Sequence, residues 1–253
     1  MTNIKNKFSL AIENSTDILS IGLLNKKKII NVKYYNASDQ FNEKDDMFLN
    51  INNFVKETKL DLDDIYSLYV GCGPGSFTNI RKLLTFARGL RISIKNFKRK
   101  KKLFSLGINS LSAFAYEYFL DVNSFRAKFV LPTIATNCGD YYAQLFSQEK
   151  NLNNSINAVS PIVCLTPEKF ESFLSKYTND NKDTIILGLE TLKLKNFKLI
   201  SKNLNRPSAL FIAKIGLEIE KQEKDTKKLI IDKNLYNIDF LPIYAKKPNI
   251  RKK

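Results

Sequence analysis

The stretch GCGPGSFTNIRKLLTFARGL (71–90) crowds Gly71, Gly73, Pro74 and Gly75 into five positions and then runs straight into a helical pattern. A phosphate-holding P-loop needs G-x-x-x-x-G-K-[ST], with a lysine that reaches the terminal phosphates, and no such lysine is present. The dinucleotide fingerprint begins at Gly71-Cys72-Gly73, but Ser76 stands where its last glycine belongs. What the residues dictate is mechanical. Gly73 tolerates the restriction that Pro74 puts on its neighbour, Gly75 permits a bend that other residues resist, and Ser76 or Thr78 can cap the helix that follows. Turning the chain is therefore preferred over cradling a phosphate as the role of this loop.

That helix, expected over about 79–93, carries Ile80, Leu83, Leu84, Ala87 and Leu90 on one stripe, widened by Phe86 and Ile94. Upstream, 45–58 places Met47, Phe48, Ile51, Phe54 and Val55 at helical spacing opposite Asp45, Asp46, Asn50 and Asn53. An apolar stripe is most often core. Phe86 beside the stripe, and Gly89 inside a helix at a cost of roughly 1 kcal/mol, favour a packed partner helix instead. Arg81 and Lys82 sit in the first turn, where the helix dipole disfavours cations, so either an anion lies nearby or the side chains reach solvent.

Outward from this centre the order is strand, strand, strand, helix, strand, helix: FSLAIE (8–13), ILSIGLL (18–24), IINVKYY (29–35), the helix at 45–58, DDIYSLYV (63–70), and the loop with its helix. The theme returns in AKFVLPTIATNCGDYYAQLFS (127–147), where N-C-G-D (137–140) stands between two strands as N-S-T-D (14–17) does. Thr166-Pro167-Glu168 opens a helix to about Tyr177, TIILG (184–188) reads as a strand, and 208–222 is an amphipathic helix with Ile212, Ile215 and Ile219 on one face. Two related α/β lobes are expected, 1–105 and 106–253, with the last helix or the tail able to pack back on the first lobe.

Histidine is absent, which excludes Ser-His-Asp and Cys-His nucleophile activation and every His-ligated metal. Cys72, Cys138 and Cys164 lack metal spacing and read as small apolar core residues. No run approaches the roughly 20 apolar residues of a membrane span, and no leader core is seen, so a soluble cytoplasmic chain is expected. The net charge of +16 points to an anionic partner, yet only seven of 41 basic residues are arginine, so lysine supplied by codon bias competes. The densest run, Lys95, Lys98, Arg99, Lys100, Lys101 and Lys102, is either a solvated loop or a tRNA-contacting patch.

GPGSFTNIRKLLTFARGL resembles the G-P-G-S-F-T-G-[LV]-R…A-x-G-L signature of the TsaB (YeaZ) family, on Gly73, Pro74, Gly75, Ser76, Phe77, Thr78 and Arg81. LAIENSTDILSIGLL, GINSLSAFA (107–115), NCGDYYAQLF, LTPEKF and FLPIYAKK are similar to further family segments, in the right order along nearly the whole chain. The resemblance implies an actin-like, sugar-kinase-type fold of two ribonuclease-H-like lobes. It also implies an accessory subunit without catalytic residues or a cofactor of its own. Such a subunit pairs with a homologous catalytic chain, TsaD, and an ATPase, TsaE, in transferring a threonylcarbamoyl group to N6 of adenosine 37 of tRNAs reading ANN codons. Asn79 departs from the glycine after F-T, Ala135 from an aspartate and Asn137 from an arginine.

Docking is then expected through Met47, Phe48, Ile51, Phe54 and Val55 on one helix and Ile80, Leu83, Leu84, Ala87 and Leu90 on the next. Self-association through the same face stays open. A charge at Leu84 would abolish the complex and leave the monomer folded, which requires Ile51, Leu83 and Leu84 to lie open on the surface. Two other functions remain: an ATP-dependent phosphotransferase using Glu13, and a basic tRNA-binding module.

Overall fold

A computed structural model describes residues 8–25, 28–36, 47–96, 103–120, 127–149, 155–178, 183–188, 198–199, 206–224 and 233–245. The meander is β1 (Phe8–Glu13), β2 (Ile18–Asn25) and β3 (Lys28–Asn36), followed by α1 (Met47–Thr58), β4 (Ile65–Gly71), α2 (Phe77–Asn96), β5 (Phe104–Ile108) and α3 (Ser110–Leu120). β1, β2 and β3 pair antiparallel, whereas β1, β4 and β5 pair parallel, giving the order β3-β2-β1-β4-β5.

The second lobe repeats this order. β6 (Phe129–Ala135) pairs antiparallel with the returning segment β7 (Tyr141–Ala143) and β8 (Phe146–Glu149). These pair in turn with β10 (Val163–Leu165) and β9 (Ser155–Ala158), and β6 pairs parallel with β11 (Thr184–Leu187) and β11 with β12 (Lys198–Leu199). Strand 2 and strand 3 of this lobe are each broken in two, with Gln144 and Leu145 between the halves of strand 2. Two sheets of one connectivity, with helical crossovers from β1 to β4, β4 to β5 and β6 to β11, make the chain an actin-like α/β protein.

Side-chain alternation explains the layers. Leu10, Ile12, Leu68 and Val70 point to one face of the first sheet, where α1 and α2 cover them; Ala11 and Tyr69 point to the other. That second face meets α3 and α5 (Ala209–Lys224), whose opposite sides rest on Val130, Ile134, Ile185 and Leu187 of the second sheet. Beyond it, α4 (Phe170–Leu174) covers Leu131 and Ile186. The parallel strands β1, β4 and β5 are thus covered on both faces, as parallel strands require, while β3 at the edge has no buried residue.

Polar bonds fix the middle layer. Ser67 Oγ donates to Glu220 Oε2 (2.7 Å), Tyr69 OH donates to the same oxygen, and burial drives the Tyr69 hydroxyl well above its ordinary pKa. Asn109 Oδ1 accepts from Leu111 N–H (2.9 Å), capping α3, and its Nδ2 donates to Gln144 Oε1 (2.8 Å) across the lobes.

Three expectations change. The helix opened by Thr166-Pro167 is a single 3-10 turn and then five residues of α4, and the Thr166 side chain makes no capping bond. The boundary at 105/106 falls inside β5, and β13 (Tyr236–Asn237) pairs antiparallel with β5. Cys72 is buried, but Cys138 is exposed and Cys164 half-buried. No described helix is long and apolar enough to cross a membrane.

Candidate functional site

Glu13 ends β1 and is completely buried. Its Oε1 accepts from Ser15 N–H (2.6 Å) and its Oε2 from Ser110 Oγ (2.8 Å), at the start of α3. A Cβ at Gly71 would collide with this carboxylate, so glycine there makes room for it. Burial pushes the Glu13 carboxyl above its ordinary range, opposed by the bonds from Ser15 and Ser110.

The glycine loop spends its backbone on the chain itself. Cys72 N–H donates to the Ile108 carbonyl (2.8 Å), Ser76 N–H to the Ser15 carbonyl (2.7 Å), and Gly73 N–H to Ser110 Oγ (3.3 Å). The Cys72 carbonyl accepts from Ile243 N–H (2.9 Å) and the Gly73 carbonyl from Ser110 N–H (2.9 Å). Gly73 has φ +90°, a region open to glycine, and precedes a cis peptide bond to Pro74. Asn79, in place of the usual glycine, donates from Nδ2 to the Thr16 carbonyl (3.0 Å). A P-loop presents such N–H groups to phosphate; here they knit α2 and α3 to the β1–β2 turn. Burial pushes the Cys72 thiol up to about 12, which keeps it protonated and unreactive.

An acid with a raised folded pKa weakens the fold as pH rises from its unfolded value of 4.5 to its folded one, because the unfolded chain gives up the proton first. Glu13→Gln removes this dependence. Its stability is expected to gain on that of the parent as pH rises above about 4.5, by at most about 1.4 kcal/mol per pH unit, and its melting temperature to rise relative to the parent's in step. Thermal melts from pH 4 to 8 check the sign, and a parent that gains on the variant with rising pH would show that the site prefers the carboxylate.

The cation in the first turn of α2 has partners. The Arg81 guanidinium lies 3.9 Å over the Phe77 ring, and its Nε donates to Tyr244 OH (3.0 Å). Arg88 Nη2 donates to the Phe240 carbonyl (2.9 Å) and Arg91 Nη1 to the Ile238 carbonyl (2.6 Å). Three arginines on one flank of α2 thus strap down residues 238–244, and Phe240 inserts into the core beneath α2. The FLPIYAKK resemblance pointed at this segment, but its docking on α2 and the roles of Arg88, Arg91 and Asn109 had no local sequence signal.

The predicted docking stripe needs correction. Ile51 is 3% exposed, Leu83 0% and Leu84 2%, and Met47, Phe54, Ile80, Ala87 and Leu90 are buried with them against the first sheet. Of the ten residues, Phe48 (49% exposed) faces outward and Val55 is half-buried. The apolar part of the helix pair's surface is instead Phe48, Leu49, the half-buried Phe86 and Ile92 (59% exposed), with Phe48 and Phe86 in edge contact at 5.9 Å. Ser76 and Thr78 are exposed at the start of α2. Lys98, Arg99, Lys100, Lys101 and Lys102 lie outside the described residues, as does the side chain of Lys95. The second-lobe turn holds Ala135 and Asn137, both exposed, and among the described residues no three metal-ligating side chains gather.

No protein-family model and no curated protein matches this sequence. Solved structures do. A Pseudomonas aeruginosa protein described as uncharacterized, with similarity to peptidase YeaZ, superposes with a TM-score of 0.65 at 16% identity over 95% of this chain and 100% of its own. YeaZ from Pseudomonas aeruginosa superposes with a TM-score of 0.63 at 15% identity, over 94% and 99%. Likeness over the full length of both partners, on top of the shared order of strands, gives this chain the YeaZ-type fold.

Proposed function

We propose that the chain is a non-catalytic docking subunit of the TsaB type. In this reading it acts in the cytoplasm, without a cofactor of its own. It pairs with a TsaD-like catalytic chain, beside a TsaE-like ATPase, in transferring a threonylcarbamoyl group to N6 of adenosine 37 of tRNAs. The observation that carries the proposal is the contrast between a closed loop and an open helix ridge. Where a phosphotransferase of this architecture would hold phosphate and Mg²⁺, Glu13 and the N–H groups of Cys72, Gly73 and Ser76 are taken up by Ser15, Ser110 and Ile108. Next to it, α1 and α2 turn Phe48, Leu49 and Ile92 outward, a paired-helix surface suited to a second helix pair.

Co-expression with the TsaD-like chain of the same organism tests this. Ile92→Asp and Leu49→Asp change exposed positions, so each is expected to melt within a few degrees of the parent. Each should reduce co-purified TsaD-like chain at least tenfold and lower modified adenosine in tRNA correspondingly. Undiminished co-purification by both variants would refute docking through this ridge. Heat on mixing with Mg-ATP, lost in Glu13→Ala, would restore the phosphotransferase reading.

A further inference from the structure

We infer that the flank of α2 strapped by residues 238–244 binds single-stranded RNA, with Tyr244 stacking on a base and Arg81, Arg88 and Arg91 meeting phosphates. This site goes beyond the docking reading and does not depend on it.

The first observation is the order of side chains along the strap. Ile238, Leu241 and Tyr244 are between 41% and 59% exposed, while Phe240 is sunk in the core and Ile243 packs against it. Phe240 and Ile243 close the first lobe; Ile238 and Leu241 add nothing to that closure. Arginines run beside the outward side chains in the opposite sense. Arg91 Nη1 holds the Ile238 carbonyl, Arg88 Nη2 the Phe240 carbonyl and Arg81 Nε the Tyr244 hydroxyl. Cations and outward apolar groups therefore share one track, the arrangement with which proteins follow an unpaired strand.

The second observation is the end of that track. The Phe77 ring lies 5.2 Å from the Tyr244 ring, and the Arg81 guanidinium sits 3.9 Å over Phe77 while bonded to the Tyr244 hydroxyl. Tyr244 is thus held in one orientation with its ring still exposed, so a base can stack on it at little cost in side-chain freedom. A duplex keeps its bases stacked on one another, which selects the unpaired strand.

The third observation is charge. α2 carries Arg81, Lys82, Arg88, Arg91 and Lys95 and no acid, and 238–244 adds the single carboxylate of Asp239. A guanidinium has five N–H donors, and the strap bonds occupy one or two on each arginine. Their acceptors are carbonyls and a hydroxyl, which leave the positive charge in place. Tethering has already fixed these side chains, which lowers the entropic cost of gripping a phosphate.

Fluorescence anisotropy of the full chain tests this, with a labelled mixed-sequence oligoribonucleotide of about twelve nucleotides, a duplex of the same length, and NaCl at about 50 and about 200 mM. The single strand is expected to bind at least about fivefold tighter than the duplex, and less tightly at the higher salt. Tyr244→Ala should weaken it at least about fivefold, whereas Tyr244→Phe, which keeps the ring and loses the bond to Arg81, should stay within about twofold. Ile238→Glu, at an exposed position beside Arg91, should also weaken it at least about fivefold with an unchanged melting temperature, so a loosened strap cannot account for the loss. No binding, equal binding of the duplex, or variants Tyr244→Ala and Ile238→Glu that both match the parent overturns the inference and leaves docking through Leu49 and Ile92 intact. RNA binding that survives Ile238→Glu while co-purification of the TsaD-like chain is lost also overturns it, assigning the flank to a protein partner.

Discussion

Leu84→Asp is expected to unfold the protein rather than merely to free it from a partner. Leu84 is 2% exposed and packs among the residues that α2 buries against β1 and β4. The substitution removes an apolar side chain, at about 2–5 kcal/mol for the lost contacts and cavity, and strands a carboxylate with no cation inside that cluster. The sum rivals the whole stability of an ordinary domain, about 5–15 kcal/mol. Circular dichroism and expression in the soluble fraction check it. A variant that melts like the parent and only loses its partner would return Leu84 to the surface.

Gly75→Ala should be nearly as severe, through the backbone. A Cβ there would overlap the Ser15 carbonyl oxygen and come within 2.8 Å of its carbon. That carbonyl cannot step aside freely, because it accepts the Ser76 N–H, and Ser15 N–H in turn holds Glu13. Relief therefore pulls the loop away from the β1–β2 turn. A loss of about 2–4 kcal/mol is expected, measured by urea denaturation, from overpacking and the broken bonds together. Gly139, where a Cβ meets nothing within 4 Å, is in an open turn; it keeps only the backbone cost of its φ of +81°, so the same change there should cost less.

Much of the fold was legible because period alone identifies it. The runs 8–13, 18–24 and 29–35 became β1, β2 and β3 within a residue or two, the stripe 80–90 became α2, and the echo of element order became a second sheet of the same connectivity. The covering of each face was not legible. Spacing places Ile51, Leu83 and Leu84 on one side of a helix, but only the alternation of Leu10, Ile12, Leu68 and Val70 in three dimensions shows that this side is needed to close the first sheet. The same limit hid the ridge. Phe48, Leu49 and Ile92 stand off the stripe, and nothing local distinguishes an exposed apolar residue from a misplaced core one. The loop makes the bend that Gly73, Pro74 and Gly75 dictate, but its bonds to Ser15, Ser110 and Ile243 involve residues far away in sequence.

The strap has a consequence for biosynthesis. Phe240 fills the core of the first lobe, β13 extends its sheet, and Tyr244 clasps an arginine 163 positions earlier. The first lobe is thus completed by residues made 147 to 163 positions after the arginines that hold them. Until they emerge, the nascent chain holds an unfilled gap under α2 and a bare edge on β5, so the first lobe stays incompletely closed while the intervening second sheet is made.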